Sequence, residues 1–132
     1  MSYSKEKLLK SQQLARQGII YAPASFLTAT ENELVSICNG CGASGSYFRP
    51  PATLYGTWIG AACNVHDFMY QYGRTIEDKD EADRTMLNNM LRLINRDSGK
   101  WYKPSMLQRA RARKYYYAVK LMGGEAFWKG KN

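Results

Sequence analysis

The chain has 132 residues, of which 45% are hydrophobic and 23% charged, a balance that suits one compact domain over residues 1–132 and lies far from disordered composition. The net charge of +8 is uneven: residues 1–97 carry ten Lys/Arg against ten Asp/Glu, and residues 98–132 carry nine Lys/Arg against Glu125 alone. Apolar runs of only a handful of residues exclude a membrane-spanning helix, and Lys-Ser-Gln-Gln directly after Leu8-Leu9 leaves no stretch for a classical signal peptide.

A first helix is expected from Ser4 to Gln17, with Ser4 as cap, Glu6 at the positive end of the dipole and Gly18 as stop. Pro23 breaks the segment Tyr21 to Thr28. Thr30 with Glu33 then spells a capping box ahead of Leu34, Val35 and Ile37, so a short helix should run into Cys38. From Asn39 to Pro51 the chain holds Gly40, Gly42, Gly45, Pro50 and Pro51, a density that predicts a loop.

Between Thr57 and Tyr72, Ile59, Ala62, Cys63, His66, Met69 and Tyr70 recur at the spacing of one helix face, and Gly73 ends the helix. Asp78 or Asp80 can cap a second long helix whose stripe is Ala82 or Asp83, Met86, Leu87, Met90, Leu91 and Ile94, with Gly99 and Pro104 marking its end. A last helix should span Ser105 to Leu121 and close at Gly123-Gly124. The expected fold is all-α: an antiparallel two-helix hairpin with a glycine-rich loop before it and further helices at both ends, the core lying in residues 38–97 and a basic segment in 98–132.

In such a hairpin, residues equidistant from the turn lie side by side. The turn centres between Arg74 and Thr75, and His66 and Asp83 are symmetric about it. The protein's single histidine therefore receives a carboxylate. An imidazole with one nitrogen so held presents the other in a fixed tautomer, which is what a general base acting on water requires. Tyr70, one turn beyond His66, can steady the carboxylate through its hydroxyl. Asp67 is rotated about 100° from His66 around the helix, which leaves it for the glycine loop. Backbone carbonyls from that loop, one carboxylate and water make the oxygen shell that calcium prefers.

Cys63-Asn64-Val65-His66-Asp67 followed by Tyr70 resembles the Cys-x-x-His-Asp-x-x-Tyr helix of the phospholipase A2 superfamily, and Gly40-Cys41-Gly42-Ala43-Ser44-Gly45 resembles its calcium loop. Asp83, in Glu81-Ala82-Asp83-Arg84, falls where short bacterial, phage and parvoviral-type members carry the aspartate of the second helix. The likeness covers residues 38–94. It implies a Cys41–Cys63 disulfide, Ca2+ bound by the carbonyls of Gly40, Gly42 and Ser44 with the Asp67 carboxylate, and a Gly42 amide facing the oxyanion. His66 would be the general base, with Asp83 and Tyr70 behind it. The implied activity is calcium-dependent hydrolysis of a phospholipid acyl ester, at sn-2 by the family rule. Ser44 stands for a usual glycine, Ala62 for a frequent second cysteine, and the family's other disulfides are missing.

Two other readings compete for the same residues. Cys38-x-x-Cys41 and Cys63-x-x-His66 have the spacing of a Cys3His structural zinc site. Arg109, Arg111, Arg113 and Lys114 among Tyr115, Tyr116, Tyr117, Phe127 and Trp128 suit an anionic phospholipid surface or, less well, a non-enzymatic module for nucleic acid or an acidic protein surface, while the plain reading is a solvated basic helix with its aromatics turned inward. Trp58, Phe68 and Ile76 are candidates to line a lipid route. With no signal peptide in view, the expectation is release by a non-classical route or carriage with a virus or phage particle, and otherwise a cytoplasmic protein.

Overall fold

A computed structural model describes residues 5–38, 41, 52–97 and 105–131. The described residues are mostly helical: α1 (Lys5–Arg16), α2 (Ala24–Leu27), α3 (Glu31–Ile37), α4 (Gly60–Tyr72), α5 (Ile76–Arg96), α6 (Ser105–Met122) and α7 (Gly124–Trp128), with a small hairpin of β1 (Thr53–Leu54) and β2 (Thr57–Trp58). None of the described helices is long and apolar enough to cross a membrane. Ser4, the Asn39 to Pro51 loop other than Cys41, and the Gly99 and Pro104 stop signals lie outside the described residues.

Gly18 ends α1 as expected. It takes φ +75, and its amide and that of Ile19 reach back to the carbonyls of Ala15 and Leu14 at 3.0 Å each, the paired closure that a left-handed residue permits. Pro23 breaks the chain less than its sequence suggests, because it serves as the N-cap of the one-turn α2. Thr30 caps α3 by accepting from the Glu33 amide at 3.1 Å. The other arm of the box does not form: the Glu33 carboxylate accepts instead from the Tyr72 hydroxyl, which ties α3 to the end of α4.

The β-hairpin was not legible in the sequence. Thr53 pairs with Trp58 and Leu54 with Thr57, around Tyr55 and Gly56, both at positive φ, the two-residue turn that matches strand twist. It removes Thr57 and Trp58 from the helix, so α4 starts at Gly60. A side chain there would collide with the Trp58 indole, at 2.6 Å from a Cβ.

Helix α4 is the centre of the molecule. Rather than burying one stripe, it buries Gly60 through His66 together with Phe68 and Tyr70, because α1, α3, α5 and α7 all pack on it. The apolar core runs from Leu8 and Phe26 through Val65 and Phe68 to Met90, Ile94 and Tyr115, with Phe26 and Phe68 in an edge-to-face pair at 5.3 Å. Three buried amides stitch the connections to this core. Gln12 Nε2 donates to the carbonyls of Phe26 and Ala29 at 3.0 and 2.9 Å. Asn89 clamps the Tyr21 backbone, accepting from its N–H and donating to its carbonyl, both at 2.8 Å. Gln108 Nε2 donates to the Leu54 carbonyl at 2.9 Å and the Thr57 hydroxyl at 2.8 Å.

On α5 the expected Ala82, Asp83, Met86, Met90 and Ile94 are buried, but Lys79, Asn89 and Leu93 are buried with them while Leu87 and Leu91 are only half-buried, so the stripe is rotated from the expected one. The cap is Thr75, not Asp78 or Asp80. Its hydroxyl accepts from the Asp78 amide, and the Asp78 carboxylate accepts in return from the amides of Thr75 and Arg74. Those backbone donors hold the Asp78 carboxyl below its usual range.

Candidate functional site

Residues Gly73 to Thr75 fold α5 back on α4, and the reciprocal Thr75–Asp78 cap sets where α5 begins. That register puts Asp83 opposite His66. The His66 ring nitrogen Nε2 lies 2.8 Å from Asp83 Oδ1, and the Tyr70 hydroxyl donates to the same oxygen at 2.6 Å. The second oxygen, Oδ2, accepts from Lys79 Nζ at 2.8 Å. Asp83 is 1% exposed, Lys79 3% and His66 7%, so the whole cluster is withdrawn from water.

Electrostatics follow from that arrangement. Burial pushes the Asp83 carboxyl up, but the hydrogen bonds from His66, Lys79 and Tyr70 together outweigh it, and the carboxyl stays below the usual carboxylate range. Asp83 is therefore an anion, and the ring nitrogen facing it carries the proton. In the neutral imidazole this leaves Nδ1 as an acceptor, and no hydrogen bond from a described residue reaches it. The Tyr70 phenol is pushed far up by burial, then by its bond to Asp83, which keeps it a donor.

Lys79 escaped the sequence reading, although its i,i+4 spacing to Asp83 on a helix was a usable signal. It neutralises Asp83 and also donates to the Val119 and Lys120 carbonyls at 3.2 and 3.3 Å, which joins the last turn of α6 to the cluster. Gly123 closes the same corner. A Cβ there would meet the Val119 carbonyl and lie 2.6 Å from the Tyr70 hydroxyl, so only glycine lets the chain pass. Gly123-Gly124 closes α6 after Met122, as expected, but the helical region continues beyond it. The pair turns α6 into α7, whose Phe127 packs edge-on against Tyr70 at 5.1 Å.

Cys41 is disulfide-bonded to Cys63, three residues before His66, with a Cα–Cα distance of 5.0 Å. This corrects the zinc reading. Two of its thiols are consumed by each other, which leaves only Cys38, whose Sγ donates to the Asn64 carbonyl at 3.4 Å, and His66, too few ligands for a structural zinc site. Burial and the negative charge of Asp67 push the Cys38 thiol up, so it remains protonated. Among the described residues, no three His, Cys, Asp or Glu side chains are grouped for a metal. Asp67 is half-buried, and its charge is felt at both Cys38 and Tyr70. Gly40, Gly42 and Ser44 lie outside the described residues.

The lipid-route candidates divide. Phe68 is sealed in the core against Phe26 and Tyr72. Trp58 is half-buried beneath the Lys10 ammonium, 4.9 Å from the ring, and Ile76 is exposed in the first turn of α5. Of the C-terminal aromatics, Tyr115 and Phe127 turn inward, whereas Tyr117 stays in solvent. No family model, curated protein or solved structure matches the chain.

Proposed function

We propose that the chain is a calcium-dependent phospholipase of the A2 type, hydrolysing an acyl ester of a phospholipid to a lysophospholipid and a fatty acid. The observation that supports it best is the threefold hold on Asp83, which fixes His66 by Nε2 and leaves Nδ1 for a substrate water. Three donors converge on that carboxylate, and no hydrogen bond from a described residue reaches the opposite ring nitrogen, which is the arrangement that a general base acting on water requires.

In this reading, Nδ1 of His66 takes a proton from water as the water oxygen bonds to the ester carbonyl carbon. Asp83 stabilises the imidazolium so formed, and Tyr70 and Lys79 keep Asp83 from following the ring. When the tetrahedral carbon collapses, the C–O bond to glycerol breaks and the imidazolium returns its proton to the departing alkoxide. The Gly42 amide would donate to the oxyanion. The antiparallel α4–α5 hairpin is then the catalytic element, and the glycine loop the metal element.

With Cys41 and Cys63 oxidised, two of the three thiols are no longer ligands, and Asp67 is a hard oxygen donor of the type calcium takes. The carbonyls of Gly40, Gly42 and Ser44 would complete the set. Bound there, calcium supplies positive charge to the ester carbonyl and the phosphate. The sn-2 position follows from the family resemblance alone.

The test is fatty-acid release from mixed anionic phospholipid vesicles by the wild type in calcium and in chelator, and by His66→Ala in calcium. Release that requires calcium and falls by about 10²–10⁴-fold in the variant is expected. Absence of release by the wild type in calcium, or release undiminished in His66→Ala, would reject the mechanism.

A further inference from the structure

Helix α6 turns an apolar face toward solvent. Met106 is 82% exposed, Leu121 81% and Tyr117 59%, and Leu107 and Met122, elsewhere around the helix, are also in water. At about 100° per residue, Met106, Tyr117 and Leu121 fall on one line along the helix, opposite the buried Gln108, Ala112 and Tyr115. Arg113 and Lys120 flank that line on one side and Lys114 on the other. The helix carries five cations and no carboxylate.

We propose that this face of α6 is the docking surface of the protein for an anionic phospholipid bilayer. The choice of bilayer rests in part on the proposed lipid hydrolysis, while the surface is argued from α6 alone. Unbranched and branched aliphatic chains flanked by Lys and Arg match acyl chains below and phosphates above, and Tyr117 places a ring low with its hydroxyl high. A second copy of the chain fits poorly, since it would set one cationic face against another. Nucleic acid offers the cations their phosphates but gives Met106 and Leu121 nothing to bury against, and Tyr115 and Phe127, which could have stacked on bases, are enclosed. The face is joined to the candidate site, because the backbone of Val119 and Lys120 accepts from Lys79, which holds Asp83.

The test is co-sedimentation of the full chain with vesicles of equal parts phosphatidylcholine and phosphatidylglycerol, in chelator so that turnover plays no part. A Met106→Ser/Leu121→Ser double variant keeps every charge and should bind about tenfold or more weakly, with an unaltered circular dichroism spectrum and melting temperature. An Arg113→Gln/Lys120→Gln double variant should also lose about tenfold on these vesicles and change little on pure phosphatidylcholine. Wild-type affinity in the serine variant overturns the proposal. So does a lipid-free dimer that the serine variant abolishes, or tighter binding of a single-stranded oligonucleotide than of vesicles. A protein that docks through this face yet releases no fatty acid in calcium leaves the surface standing and removes the hydrolase reading.

Discussion

In the α4–α5 hairpin, His66, Tyr70, Lys79 and Asp83 are withdrawn from water and answered by one another, whereas α6 leaves Met106, Leu107, Tyr117, Leu121 and Met122 in water beside five cations. Each region breaks the ordinary placement of its residue types, charged groups inside in one and apolar groups outside in the other. The costs differ in kind. A buried charge is tolerable only while its partners stay in place, so the hairpin must be rigid. An exposed apolar face costs little in the isolated molecule and gains only when something covers it. Stability should therefore depend on the first region and association on the second.

The largest break in that contrast is Asp83→Ala, which strands the Lys79 ammonium in the interior and should cost about 3–5 kcal/mol of stability by urea unfolding. Reducing the Cys41–Cys63 bridge, which closes a loop of sequence separation 22, should cost about 3 kcal/mol in the same assay through unfolded-chain entropy. Tyr70→Phe removes one donor to a charged oxygen, leaving His66 and Lys79, and should cost about 1.5–3 kcal/mol. It sharpens the comparison if its melting temperature falls while vesicle binding does not.

Acid should weaken the hairpin selectively. The Asp83 carboxyl lies below its ordinary value when folded, so the native state binds this proton less readily than the unfolded chain. The stabilisation is complete above the unfolded pKa of about 4 and is lost as pH falls through the folded value. Unfolding titrations from neutral pH downward should show that loss flattened in Asp83→Asn. At the small end, Leu121→Ser should change stability by less than about 0.5 kcal/mol, since its side chain is 81% exposed. A larger loss would mean that α6 is held by its outer face.

Much of the hairpin could be read before any coordinates. The mirror positions of His66 and Asp83 about Arg74–Thr75, and the one-turn offset of Tyr70, depend only on helix pitch and a short turn, and both contacts are present. Lys79 was missed because an i,i+4 Lys–Asp pair on a helix is most often a surface ion pair, and burial is what gives this one its meaning. Gly123-Gly124 does stop α6, but the close pass of Gly123 by the Tyr70 hydroxyl joins two segments more than fifty residues apart and has no local signal. Apart from Cys41, the glycine loop, on which the calcium set depends, lies outside the described residues.

By itself the sequence determined a helical chain, the hairpin register and the concentration of positive charge after residue 97, because these follow from local periodicity, capping chemistry and composition. Only the tertiary structure decided which faces are inside. It buried most of α4, turned Gln12, Asn89 and Gln108 into buried ties for distant carbonyls, buried Lys79 against Asp83, and left the apolar line of α6 facing water. Such outcomes depend on which elements meet, and a helix carries the same residues whether its neighbours cover one face or another.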